Sequence, residues 1–331
     1  MTSPSTTSPE PAARTARVSL DRFQIGLLVL CGLLTVGALI YGGYLLTVFQ
    51  LAMIYGVFCI GLNFFMGYTG QASFGQNAFA CIGGYGSAIL CVQYGWEPAL
   101  AMIVSMVVAG VAALLIGYPT LRLRGHYLAM ATFSLGLITY DISIHWTSLT
   151  QGYMGYSGIP PLGIAGFGIE NERWKLVALV VLLGFAFWIS QRMRDSRFGR
   201  GLRAISGSEN GAAALGIRVP RFKLIAFVIA ALYASAAGSL FAHTVGFISP
   251  EVFGPQMSII TFTMLYVGGV GTMIGPIVGA IVASLLPEIF RSVGKFQDIA
   301  YAVVLLGMLI YAPKGLSSLG KLFRPRKREE A

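Results

Sequence analysis

Charged residues are scarce in this chain. Asp, Glu, Lys and Arg make up 11% of its 331 residues, which is about half of their share in an average soluble domain. Residues 23–121 contain only Glu97 from this group, and residues 224–287 contain only Glu251. Because a soluble fold of this size cannot hide such stretches from water, the composition excludes an ordinary soluble enzyme.

Sequence motifs for chemistry are missing as well. The chain has no HExxH motif, no GxSxG motif and no dinucleotide-binding fingerprint after a strand. Its basic excess, a formal net charge of +10, does not form a basic face interleaved with aromatic residues, so nucleic-acid binding is not indicated. The cysteines lie in apolar runs without metal-site spacing, and we expect them to be small apolar side chains. They are Cys31, Cys59, Cys81 and Cys91.

Long apolar runs dominate the sequence instead. A helix that crosses a bilayer needs roughly 20 mostly apolar residues. Seven runs approach or exceed that length, and three shorter runs follow Glu251. They lie at about 23–41, 44–66, 72–94, 98–119, 126–146, 174–191, 224–245, 256–268, 272–290 and 298–312. The sequence therefore predicts an all-α polytopic membrane protein with about ten transmembrane helices, or eight if two of the short runs are re-entrant half-helices.

The distribution of Lys and Arg predicts the orientation. Ten crossings from a cytosolic N-terminus place 19 of the 23 basic residues in cytosolic segments, as the positive-inside rule requires; eight crossings give the same ends. We expect residues 1–22 to be a disordered cytosolic tail, for which a cleaved signal peptide is the alternative. Residues 23–312 are expected to form the permease domain, with an external loop at 147–173 and a cytosolic loop at 192–223. Residues 313–331 are expected to form a basic cytosolic tail.

Polar residues within the apolar runs are candidates for a solute pathway. Polar groups at membrane depth are costly unless they find partners or line a wet cavity. The densest group surrounds a glycine-rich stretch between Gly61 and Gly84 that favours a broken or re-entrant helix. Its members are Asn63, Gln71, Ser73, Gln76 and Asn77. The alternative is that Gln71 and Ser73 cap a helix start at the cytoplasmic interface.

Other polar and small residues favour structural interpretations. Asp141, near His145 at a predicted helix end, is interpreted as a hydrated interfacial carboxylate rather than a proton relay. His243 is expected to pack with a hydrogen bond. Gly271, Gly275 and Gly279 recur every four residues, which is typical of helices that pack closely in lipid.

The long cytosolic loop contains a predicted short helix. Ser208 is its expected N-cap and Gly216 its stop. Its small side chains suit insertion into a groove on another protein, whereas a helix lying on lipid headgroups would explain the preceding arginines.

Several ordered blocks of sequence resemble the LivM-type permease subunits of branched-chain amino acid ABC importers, over nearly the whole chain after residue 45. The blocks are Gly61-Leu-Asn63, Gly67-Tyr-Thr-Gly-Gln71-Ala-Ser73-Phe-Gly75, Arg122-Leu-Arg124-Gly125-His-Tyr127, Gly199-Arg200-Gly-Leu-Arg203, Ala213-Ala-Leu-Gly216, Gly246-Phe-Ile-Ser249-Pro250 and Gly268-Gly269-Val-Gly271-Thr-Met-Ile-Gly275-Pro276. Gln76 and Asn77 stand where many relatives have His and Ala, so the resemblance does not fix the solute.

This resemblance implies a heteromeric importer in a bacterial inner membrane. The chain pairs with a homologous LivH-type permease, two cytosolic ABC ATPases bind ATP and Mg, and a periplasmic binding protein delivers branched-chain or related hydrophobic amino acids. The segment with Glu209, Ala212, Ala213 and Gly216 corresponds to the family's coupling helix. The chain itself binds no cofactor. The alternative function is an ion-coupled secondary transporter, for which Asp141 is the carboxylate available within a span.

Overall fold

The computed structural model describes residues 22–164 and 167–291, together with residues 299, 302–304, 306–307, 310 and 315–316. The predicted N-terminal tail apart from its last residue, most of the last predicted span and most of the basic C-terminal tail lie outside the described residues.

The described chain is mainly α-helical. The helices are α1 (Arg22–Tyr41), α2 (Tyr44–Thr69), α3 (Gln76–Tyr94), α4 (Pro98–Thr120), α5 (His126–His145), α6 (Thr147–Thr150), α7 (Glu172–Asp195), α8 (Arg197–Gly207), α9 (Glu209–Ala214), α10 (Val219–Val245), α11 (Pro255–Gly268) and α12 (Gly275–Ile289). Short 3₁₀ helices lie at Gly152–Met154 and Pro250–Phe253. The strands are β1 (Tyr156–Ser157), β2 (Gly163–Ile164), β3 (Phe167–Gly168) and β4 (Phe247–Ile248).

Five of these helices are long and apolar enough to cross a membrane: α2, α4, α5, α7 and α10. Shorter apolar helices lie at Gly26–Tyr41 and Gly275–Ile289. The predicted class, an all-α polytopic membrane protein, is confirmed. The number of crossings, ten or eight, and the re-entrant segment stay predictions.

Helix α10 is the centre of the bundle and packs against α2, α3 and α4. Small residues permit these contacts: a Cβ atom on Gly238 would meet the backbone of Ala80 in α3, and one on Gly83 would meet Ser235 in α10. In contrast, most apolar side chains of α4 and α7 are exposed or only partly buried. We conclude that α2 and α10 form the protein core, while α4 and α7 present surfaces that suit lipid.

Residues 70–75, called the 70–75 segment below, form neither helix nor strand, so α3 begins at Gln76 and not at residue 72 as predicted. Helix α2 ends at Gly70, whose φ of 70° is the left-handed conformation that favours glycine. The main chain then bonds to other helices: the Phe74 amide donates to Thr132 of α5 at 3.1 Å, and its carbonyl accepts from Ser258 of α11 at 2.6 Å. These tertiary bonds replace the helical bonds that the apolar pattern predicts.

The three glycines with four-residue spacing do not share one helix. Gly275 and Gly279 belong to α12, and a Cβ atom on Gly279 would meet the carbonyl of Met264 in α11. Gly271 lies in the turn before α12, with φ of 73° and its Cα against Gly67 of α2. The four-residue spacing therefore reflects two separate close contacts, one between α12 and α11 and one between the turn before α12 and α2.

The predicted external loop contains regular structure. Strand β1 pairs with β4 in an antiparallel ladder, with Tyr156 opposite Ile248. Near this ladder the buried ring of His243 places Nδ1 2.8 Å from the carbonyl oxygen of Pro160, which confirms the expected packing role. The ladder and the start of α10 are at opposite ends of that helix.

Candidate functional site

A helical arm projects at the end of the bundle where α10 begins. Ser196 accepts a hydrogen bond from the Gly199 amide and starts α8. Leu202 and Ile205 are buried on one side of α8, whereas Arg197, Arg200 and Arg203 are exposed. The arginine-rich part of the predicted loop is therefore an amphipathic helix. The bounds of this helix were not predicted, because the frequent arginines make its few apolar residues hard to recognise in the sequence.

Helix α9 forms the tip of this arm and agrees with the sequence prediction. The Ser208 hydroxyl accepts a hydrogen bond from the Gly211 amide at 3.1 Å, which is the expected N-cap. Within α9 only Ala212 is buried, and Ala213 and Gly216 are exposed. Leu215, just beyond the helix, is 81% exposed. The tip thus presents small and apolar groups to the outside, which suits insertion into a groove on a partner.

The first residue of α9 is tied to two other parts of the bundle. Oε1 of Glu209 accepts a hydrogen bond from Nε2 of Gln71 at 2.9 Å and forms an ion pair with Nζ of Lys223 at 2.5 Å. Side-chain exposure is 4% for Lys223 and 29% for Glu209. Lys223 lies in the second turn of α10, and Gln71 lies in the 70–75 segment before α3. This group of three side chains is called the Glu209 link below.

A groove of about 620 Å³ lies beside the Glu209 link, between the end of α4 and the start of α10. Its basic lining residues are Arg122, Arg124, Arg221 and Lys223. The guanidinium of Arg122 stacks on the Tyr118 ring at 4.9 Å. The groove and the α9 tip together form the most basic described end of the bundle.

The predicted pathway residues do not form one group in the structure. Asn63 holds the turn before α12: its amide donates to the Thr272 carbonyl at 2.9 Å, and its oxygen accepts from the Gly271 amide at 2.8 Å. Asn77 donates to the Phe253 carbonyl at 2.9 Å, although its buried Oδ1 has no partner among the described residues. Gln71 belongs to the Glu209 link. These contacts support structural roles for the three residues.

Ser73 and Gln76 differ from the other predicted pathway residues. Both are buried, with exposures of 1% and 2%. Among the described residues, the Ser73 hydroxyl and both amide atoms of Gln76 have no hydrogen-bond partner. Buried polar atoms without partners are costly, so these two side chains are the strongest pathway candidates of the five.

Two side chains that hold the 70–75 segment were not predicted from the sequence. Thr132 and Ser258 bind the main chain of Phe74 from α5 and α11. A threonine or serine inside an apolar run gives no sign of which distant backbone it meets. A role for Lys223 was only weakly indicated by the sequence, in which it is the last basic residue before the apolar run at 224–245.

The carboxylate considered for the alternative function, Asp141, lies exposed near the end of α5. Asp141 and His145 are 3.4 Å apart, with side-chain exposures of 73% and 74%, which agrees with an interfacial carboxylate. No group of three or more His, Cys, Asp or Glu side chains within the described residues could hold a metal ion. The four cysteines are free and buried.

The sequence of this chain matches a known family. A family model described as branched-chain amino acid transport system / permease component matches residues 44–313. The chain belongs to this family. The match includes the 70–75 segment, helices α8 and α9, and the turn before α12.

Individual relatives agree with this family. The chain is 32% identical over 292 residues to the high-affinity branched-chain amino acid transport system permease protein LivM of Escherichia coli K12, covering 80% of this chain and 68% of that protein. It is 24% identical over 285 residues to LivH of the same organism, covering 79% and 90%. It is also 27% identical over 247 residues to the autoinducer 2 import system permease protein LsrC of E. coli DH10B, covering 67% and 68%.

Proposed function

We propose that this chain is one of two permease subunits of an ATP-driven importer, and that α9 is the helix through which partner ATPases move it. The observation that carries the proposal is the exposed α9 tip. It is capped and ordered, yet Ala212 is the residue of the helix that is buried. A short helix with its outward residues uncovered suits a pocket on another subunit.

The basic residues support an orientation with α9 in the cytosol. Arg122, Arg124, Arg221 and the exposed arginines of α8 gather at the α9 end of the bundle. Lys and Arg concentrate on the cytoplasmic side of membrane proteins. We therefore place the β1–β4 ladder on the outer side of a bacterial inner membrane, where a periplasmic binding protein delivers solute.

The solute is proposed from the relatives. LivM and LivH are named for branched-chain amino acids, and LsrC is named for autoinducer 2, so the family carries more than one class of solute. The longer match with LivM favours branched-chain or related hydrophobic amino acids. Ser73 and Gln76 are the proposed contacts to solute, since their polar atoms are buried without partners.

The test is reconstitution in vesicles with a LivH-type partner, two ATPases and a binding protein. We expect uptake of radiolabelled leucine that requires ATP. Replacing the exposed small side chain of Ala213 with Arg should abolish assembly with the ATPases, because the larger charged group cannot enter the pocket. The matched control is Ser148→Arg, an exposed small residue in α6 at the other end.

The alternative, an ion-coupled secondary transporter, gives the opposite results. Uptake by this chain without ATPases, driven by a proton or sodium gradient, would refute the importer proposal. Equal ATP-coupled uptake by Ala213→Arg and Ser148→Arg would refute the role of α9. The exposed position of Asp141 does not favour the alternative, because a relay carboxylate needs a protected position within the protein.

A further inference from the structure

The Glu209 link joins the α9 tip to the interior through a single carboxylate oxygen. Oε1 of Glu209 meets Gln71, which is 138 residues away in sequence, and Lys223, which is 14 residues away. We infer that the link transmits movement of α9 to the 70–75 segment, with Lys223 as the fixed arm and Gln71 as the arm that changes. This inference rests on the proposed function and assigns positioning roles to the two side chains.

The Lys223 arm is fixed because its charge is buried. A buried ammonium without a counter-charge is strongly unfavourable, and the Lys223 side chain is 4% exposed. Glu209 must therefore stay with α10 in every state in which Lys223 stays buried. Helix α9 and the start of α10 consequently move as one unit.

The Gln71 arm can be exchanged at lower cost. Its amide is neutral, Gln71 is only partly buried, and water can replace a hydrogen bond at such a position. Breaking the contact between Gln71 and Glu209 leaves the ion pair intact. Of the two contacts of Glu209, the one with Gln71 is therefore the contact that can form in one state of the protein and break in another.

The 70–75 segment carries any movement of Gln71 further. Phe74, three residues on, is bonded through its main chain to α5 and α11, and its ring packs on Phe262 of α11 at 4.7 Å between centroids. The segment then continues directly into α3, where Gln76 is the first residue. A shift of Gln71 therefore reaches three helices and the proposed solute contacts without passing through another flexible loop.

The experiment compares two glutamines that make the same kind of contact. Gln71→Leu removes the bond to Glu209. Gln50→Leu removes the bonds from Nε2 of Gln50 to Oε2 and to the main-chain carbonyl of Glu172, 2.9 and 3.0 Å long, at the start of α7 on the other end of the bundle. Both variants are reconstituted in the full complex, and leucine uptake is measured per ATP hydrolysed, together with assembly of the complex.

We expect Gln71→Leu to assemble and hydrolyse ATP while its uptake per ATP falls about tenfold, the bias that one hydrogen bond to a charged group gives between two states. Gln50→Leu should keep the wild-type ratio. An unchanged ratio in Gln71→Leu, or an equal fall in both variants, overturns the inference. If Gln71→Leu does not assemble, Gln71→Met, which keeps the length of the side chain, is held to the same two outcomes.

The wild-type complex separates this inference from the proposed function. Absence of ATP-dependent uptake in the wild type would refute the importer proposal itself. ATP-dependent uptake in the wild type with normal coupling in Gln71→Leu would refute the role of the link and leave the importer proposal standing.

Discussion

The contact between α11 and α12 allows a sharp test of packing. A Cβ atom on Gly279 would overlap the carbonyl oxygen of Met264 and lie 2.9 Å from the amide nitrogen of Gly268. Both neighbours are backbone atoms and cannot rotate away. At Gly184 of α7, in contrast, an added Cβ meets nothing within 4 Å. Gly279→Ala and Gly184→Ala therefore make the same chemical change in opposite surroundings.

The expected difference follows from two effects. Alanine gains up to about 1 kcal/mol over glycine within a helix, and both variants receive this gain. Forcing an extra methyl group into a closely packed contact costs about 1 to 3 kcal/mol, and only Gly279→Ala pays it. We expect the free energy of unfolding of Gly279→Ala to lie about 1 to 3 kcal/mol below that of Gly184→Ala.

The measurement is reversible unfolding of the purified chain in mild detergent, followed by tryptophan fluorescence. Thermal aggregation of the same samples gives the order of stability independently. If the two variants unfold with equal free energies, the close approach of α11 and α12 is not a stabilising contact, and the packing described here is wrong.

Three further predictions concern α9, the Glu209 link and the cysteines. Ser208→Ala removes the N-cap of α9 and should destabilise that helix by about 1 kcal/mol, seen as faster hydrogen exchange at residues 209–216, whereas unchanged exchange would contradict the cap. Glu209→Gln leaves a buried ammonium and should cost about 3 to 5 kcal/mol in unfolding free energy, while Lys223→Met leaves a partly exposed carboxylate and should cost less; the reverse order would contradict the burial of Lys223. The buried cysteines should react with a water-soluble maleimide only after denaturation, and rapid labelling of the native protein would contradict the core packing around Cys31, Cys59, Cys81 and Cys91.

Hydropathy predicted where most helices lie but not where they begin. The core helix predicted from residue 224 starts at Val219, because its first turns are polar and contain the buried Lys223. Helix α3 starts later than its apolar run, because distant side chains bind the main chain of Phe74. Local composition reports which segments avoid water, whereas helix ends depend on partners that are far away in sequence.

Only part of the candidate site was predicted, again because some of its contacts join residues that are far apart in sequence. The N-cap at Ser208 and helix α9 follow from local residue types, and both were predicted from the sequence. The contact between Gln71 and Glu209 joins residues 138 positions apart, and no periodicity indicates such a pair. Asn63 looked like a pathway residue because it is polar within an apolar run, but its two hydrogen bonds to the turn before α12 satisfy it.

The pairing of β1 with β4 sets a limit on how α10 can move. One end of this 27-residue helix is fastened by main-chain bonds and by the His243 contact to residues 156–160, whereas the other end is held by side chains, including the Lys223–Glu209 ion pair and the stacking of Phe222 on Phe198 of α8. Tilting of α10 would then pivot at the ladder, and a helix of that length is a lever of about 40 Å. A rotation of a few degrees would sweep the α9 end through a few ångströms and leave the ladder almost stationary.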